Sequence, residues 1–129
     1  IVLLCGADGL EEDPLSHMML SNNAQLDVLR GLMGMAPRLL ILGGGGYNPW
    51  SVGRLWAQVW GLLNGLEAPD RVPPEVEAVL RALRFEGNRR GKNPPAHWFT
   101  TLRDAPREGL VRDEIKQGVA VLNRRAFPA

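Results

Sequence analysis

The sequence predicts an α/β chain built on parallel strands. Two short apolar runs, IVLLC at residues 1–5 and Leu39–Leu42, have the length and composition of buried strands, and each opens into a loop. The residues after each loop switch to helical spacing, so the pattern is strand, loop, helix, strand, loop, helix.

The first strand, residues 1–5, leads into a loop from Gly6 to Ser16 that carries Asp8, Glu11, Glu12 and Asp13. A helix starts at Asn22 or Asn23. Its apolar positions Leu26, Leu29, Leu32 and Met33 fall on one side, and Gly34 and Pro37 end it. Arg38–Leu42 forms the second strand, which makes residues 1–42 a β-loop-α-β unit with a right-handed crossover. The next helix spans Pro49–Asn64, with Val52, Leu55, Trp56, Val59, Trp60 and Leu63 on a broad apolar face and Gly65 as its stop. Pro69–Pro74 is a connector. A short helix runs from Pro74 to Leu83, a polar surface loop from Phe85 to Pro95, and a second short helix from His97 to Asp104. A terminal amphipathic helix over Leu110–Arg125 carries Leu110, Ile115, Val119 and Leu122 on one face.

The 129 residues suffice for one domain with a real core. A formal charge of +1 gives no reason to expect nucleic acid or an anionic membrane as a partner. The single cysteine, Cys5, excludes an internal disulfide and suits a reducing compartment. No apolar run approaches the length of a membrane span and no signal peptide stands out, so a cytoplasmic location is the default expectation. A buried strand needs neighbours, and two strands do not make a stable α/β sheet alone. The expectation is therefore a carboxy-terminal segment of a larger domain, or an oligomer whose partner copy completes the sheet.

The stretch Leu40–Trp50, LILGGGGYNPW, is the most constrained in the chain. Each glycine costs roughly 0.5–1 kcal/mol relative to alanine in a regular element, so four in succession imply positive φ or packing against bare backbone. Asn48 is placed to cap the next helix, with Pro49 at its first position. Two parallel strands open both loops on one edge of the sheet, where α/β folds bind ligands. A carboxylate such as Asp8 can ligate a metal. A phenol such as Tyr47, protonated at neutral pH, can donate a hydrogen bond to a developing oxyanion. On chemistry alone, the pair beside a glycine-floored slot suggests hydrolysis of a carbonyl compound.

The motifs CGADGLEEDPL and LILGGGGYNPWSVGRLW, in this order and at this separation, resemble the carboxy-terminal part of the zinc-dependent histone deacetylase superfamily. The continuation YNPWSVGRLWAQVWGLLNG looks most like the bacterial acetoin-utilization branch. The resemblance covers residues 1–66, a motif-bearing core. Residues 67–129 match only in general character, as the family's variable helical end. The implied architecture is part of a three-layer α/β/α parallel sheet, the arginase–deacetylase fold.

By this resemblance Asp8 is one of three protein zinc ligands. Tyr47 polarises the acetyl carbonyl and stabilises the tetrahedral intermediate with the metal. Gly44, Gly45 and Gly46 line the narrow acyl-lysine channel, and Pro14 and Leu15 match its rim. The implied partners are an acetylated protein lysine or a small acetylated amine. They also include the amino-terminal part of the domain, which would bring the Asp-x-His ligands and the tandem histidine base. Only His17 and His97 occur here, neither in a matching motif, so this chain is not expected to catalyse alone. Two other readings stand beside this one. The first is a non-catalytic paralogue acting as an interaction or oligomerisation module; the second is a hydrolase of the same fold with other substrates, such as acetylated polyamines.

Simpler readings apply elsewhere. An isolated aspartate after a strand more often caps a turn, and a lone loop tyrosine more often sits at a rim. Glu11, Glu12 and Asp13 read as solvated charges, with Asp13 a candidate to fix the loop through backbone N–H groups. His17 reads as a surface or rim residue, and His97, beside Trp98 and remote from the motifs, as structural. Cys5 reads as core, Trp56 and Trp60 as helix core, and Arg89, Arg90 and Lys92 as a solvated basic loop.

Overall fold

The computed structural model describes residues 1–15, 17–85, 93–107 and 109–126. Strands β1 (Val2–Leu4) and β2 (Leu40–Leu42) pair in parallel, with Val2 opposite Leu40, Leu3 opposite Ile41 and Leu4 opposite Leu42. The ladder runs on into the loops: the Leu40 N–H donates to the Ile1 carbonyl at 2.9 Å and the Cys5 N–H to the Leu42 carbonyl at 2.8 Å. Helix α1 (Asn22–Leu32) is the crossover, and α2 (Pro49–Leu63) follows β2.

Residue alternation along a strand sends successive side chains to opposite faces. Leu3 and Ile41 pack against the core built by Cys5, Ala7, Leu10, Leu26, Leu29, Leu55 and Val59. Val2 and Leu4, 67% and 69% exposed, lie on the other face together with exposed Leu40 and Leu42. The expectation of buried strands holds on one face only: α1 and α2 cover it, and nothing among the described residues covers the other. The expected α/β/α arrangement is represented by its sheet and one helical layer.

A second core lies beside α2. Trp50, Trp98 and Phe99 are buried together, with Leu80 and Phe85 packed against them. The Trp50 and Trp98 rings lie 5.4 Å apart, and the Trp50 Nε1–H donates to the Leu80 carbonyl at 2.9 Å, which satisfies the buried indole. Helices α3 (Pro74–Ala82) and α4 (His97–Thr100) carry these contacts. Helix α5 (Asp113–Ala126) buries none of its residues, so the predicted apolar face of Ile115, Val119 and Leu122 stands exposed. Trp60, expected in the helix core, is 68% exposed, whereas Trp56 packs against the first core as expected. The central portion of the predicted 85–95 loop, with Arg89, Arg90 and Lys92, lies outside the described residues.

The chain beyond α4 is stitched to α1 and α2 by polar bonds. Arg54 and Asp104 form an ion pair at 2.7 Å with both side chains almost wholly buried. The other carboxylate oxygen of Asp104 accepts the Asn22 N–H at 2.7 Å, which caps α1 from 82 residues away. The nominal cap residue, Ser21, makes no side-chain cap bond. A carboxylate at this position also complements the helix dipole. Arg54 Nε and Gln58 Nε2 donate to the carbonyls of Thr101 and Leu102.

Candidate functional site

The loops after β1 and β2 meet over the end of the sheet. The Ala7 N–H donates to the Gly45 carbonyl at 2.6 Å, joining them directly. The glycines permit this approach. A Cβ on Gly45 would overlap the Asp8 carboxylate, and one on Gly44 would meet the Gly6 backbone at 3.0 Å. Gly46 has φ +151°, and a Cβ there would come within 2.7 Å of Val52. Gly43 needs no such exemption, since its added Cβ would make only ordinary contact with Trp56.

Asp13 is the clamp between the loops. Its side chain is buried, one carboxylate oxygen accepting the Leu15 N–H at 2.8 Å and the other the Tyr47 N–H at 2.7 Å. Asn48 adds a second tie. Its Oδ1 accepts the Trp50 and Ser51 N–H groups at the start of α2, and its Nδ2 donates to the Glu12 carbonyl at 3.1 Å. The Asn48 cap and Pro49 at the first helical position are as the sequence predicts. The reading of Glu12 and Asp13 as solvated charges is corrected, since both are buried, whereas Asp13 does fix the loop through backbone N–H groups as the sequence suggests.

Within this frame the Asp8 carboxylate is half-buried against the backbone of Gly6 and Gly45. Tyr47, two residues beyond Gly45, has its backbone pinned by Asp13 and its side chain 49% exposed. Both residues therefore belong to one joined pair of loops at one edge of the sheet. Pro14 is half-buried, and Leu15 and His17 are exposed along the same loop. Cys5 is buried, and burial pushes its thiol above the ordinary range, which disfavours a thiolate nucleophile.

Sequence reasoning missed a different set. Glu12, His97 and Asp104 offer ligand atoms within 4.8 Å of one another, and His97 Nε2 lies 3.6 Å from Glu12 Oε1. His97 is thus close to the first motif in space, correcting the reading that it is remote. Arg54 and Gln58 were also missed, although a signal existed. Both fall on the stripe through Ser51, Leu55 and Val59 that α2 buries, and a charge on such a stripe demands a partner.

The histone deacetylase domain family matches residues 1–63. These residues belong to the histone deacetylase superfamily. Over 93% of its length it superposes on an HDAC homolog from Aquifex aeolicus with a TM-score of 0.80 and 32% identity, covering 32% of that chain. The same match holds for an HDAC homolog complexed with SAHA. Histone deacetylase 1 of Oryza sativa subsp. japonica is 39% identical over 74 residues, which is 57% of this chain and 14% of that protein. Histone deacetylase 3 of the same plant is 36% identical over 101 residues, 71% of this chain and 20% of the relative. The chain therefore spans a minor part of the relatives it matches. The structural match reaches beyond residue 66, so the helical end shares the family fold more fully than its residues announced.

Proposed function

We propose that this deacetylase segment contributes Asp8 and Tyr47 to a zinc-dependent site that hydrolyses the amide of acetyl-lysine or of a small acetylated amine, releasing acetate. The observation that carries the reading is the clamped meeting of the two loops, which holds Asp8 and Tyr47 at one sheet edge. The carboxylate is of the right chemical kind for zinc, and the Gly45 backbone leaves it the space it occupies. Three protein ligands are the usual complement, and Asp8 belongs to no group of three potential ligands among the described residues. Asp8 would therefore hold the metal together with ligands from further polypeptide, and the bare apolar face of the sheet supports such a completion.

Zinc, when bound, acts as Lewis acid toward the carbonyl and lowers the pKa of water. Tyr47 donates its hydroxyl hydrogen to the carbonyl oxygen as negative charge develops there. Asp13 fixes the Tyr47 backbone so that the phenol is positioned before the substrate arrives. Gly44, Gly45 and Gly46 keep the wall beside it free of side chains, and Pro14 and Leu15 form the rim. Kinship with the acetoin-utilization branch and a cytoplasmic setting are part of the same proposal. In the full-length protein, Tyr47→Phe should fold normally and lower turnover of an acetyl-lysine peptide by about 10²–10³-fold. Unchanged turnover would remove Tyr47 from the mechanism.

A further inference from the structure

A cavity of about 740 Å³ opens between the first loop and the chain around α4, lined by Glu12, His97, Trp98 and Asp104 among others. It is separate from the Asp8–Tyr47 edge, since neither of those residues lines it. Three features of its wall are left unexplained by the deacetylase site. Glu12 has one carboxylate oxygen, Oε2, buried without any hydrogen-bond partner, although its side chain is only 9% exposed. The other oxygen lies 3.6 Å from His97 Nε2, too far for a good hydrogen bond. Trp98 Nε1–H, on the same wall, is also buried and unpartnered. An isolated carboxylate oxygen in such a place is costly unless something neutralises it.

We propose that Glu12, His97 and Asp104 form a second divalent transition-metal site, distinct from the deacetylase zinc. Two carboxylates and an imidazole are a donor set suited to such a metal. Around a cation with bonds of about 2.0–2.2 Å, tetrahedral ligand atoms stand roughly 3.5 Å apart. The ligand atoms already lie within 4.8 Å of one another, and His97, whose side chain is 49% exposed, has room to turn toward the two carboxylates. Asp104 is already bonded to Arg54 and to the Asn22 N–H, but each carboxylate oxygen has a further lone pair. Two carboxylates against one guanidinium leave the cluster one negative charge, which favours a cation. The open cavity gives the ion an entry path and room for a water ligand, which could stand near the free Trp98 indole. The bound metal would brace the loop that carries Asp8 and Asp13 against the chain following α4.

The test is zinc titration by calorimetry of the full-length protein after chelator treatment and dialysis, with Asp8→Asn as the background that disables the deacetylase site. That background should retain one zinc equivalent and gain thermal stability when zinc is added. Adding His97→Ala should weaken this binding at least tenfold and abolish the thermal gain, and Glu12→Gln should do the same. The half-exposed His97 can be truncated without opening the core, and circular dichroism checks the fold of each variant. Equal stoichiometry and affinity with and without His97→Ala would overturn the proposal, as would an Asp8→Asn protein that binds no zinc. Because every arm is read by metal binding in the Asp8→Asn background, the outcome is independent of whether Tyr47 acts in catalysis.

Discussion

The two loop tips after β1 and β2 and the segment from His97 to Asp104 both hold the molecule together, but they leave different traces in the sequence. The loops meet on backbone groups close in sequence to the strand ends: the Ala7 N–H donates to the Gly45 carbonyl, and the Leu15 and Tyr47 N–H groups donate to the Asp13 carboxylate. Such geometry admits few residue types, so it leaves glycines, a capping asparagine and a proline in the sequence. The later segment is held by side chains reaching across 50 and 82 residues, Arg54 to Asp104 and Asp104 to Asn22. Any solvated loop can contain an aspartate, so nothing local marks this one. Backbone constraints are visible in a chain; long-range pairings are visible only once it is folded.

The strongest way to break this comparison is to remove Asp104. Its loss strands the buried Arg54 charge and uncaps α1, so Asp104→Ala should cost about 3–5 kcal/mol in chemical denaturation. A cost near zero would make the later segment mere decoration. Asp13→Ala tests the other region. It removes a buried carboxylate that accepts two backbone N–H groups, an expected loss of about 2–3 kcal/mol. Turnover should fall as well, because Tyr47 loses its anchor; stability lost with turnover intact would separate the clamp from the site.

Asn48→Ala is a smaller change, about 0.5–2 kcal/mol in the same denaturation series, from loss of the α2 cap. The smallest effect belongs to the exposed helix α3. There a hydrogen bond from Arg81, aided by Arg71, holds the Glu77 carboxyl below its ordinary range. A depressed folded-state pKa adds stability above the unfolded value, and that contribution disappears as pH falls through the folded one. Glu77→Gln should therefore differ from wild type slightly at neutral pH and converge with it in acid, as thermal midpoints across the pH range would show.

Much of the fold was legible because periodicity and punctuation agree: Leu26 and Leu29 mark the buried side of α1, and Asn48-Pro49 marks the start of α2. Strand burial was misread. IVLLC is apolar at every position, and composition cannot tell which face another layer covers; here Leu3 is packed while Val2 and Leu4 are open. At the proposed site, Asp8, Tyr47 and the glycines were accessible through motif and backbone demand. Glu12 and His97 were not, since each is unremarkable among its sequence neighbours and acquires meaning only from the 3.6 Å that separates them.

The central claim is that the joined loops bring a metal-binding carboxylate and an oxyanion-donating phenol to one substrate. Its most direct test measures turnover and zinc per chain side by side for Tyr47→Phe and Asp8→Asn in the full-length protein. The account predicts that the phenylalanine variant keeps its full zinc complement while turnover collapses, and that the asparagine variant loses both activity and one zinc equivalent. Full zinc loading and wild-type turnover in either variant would contradict it.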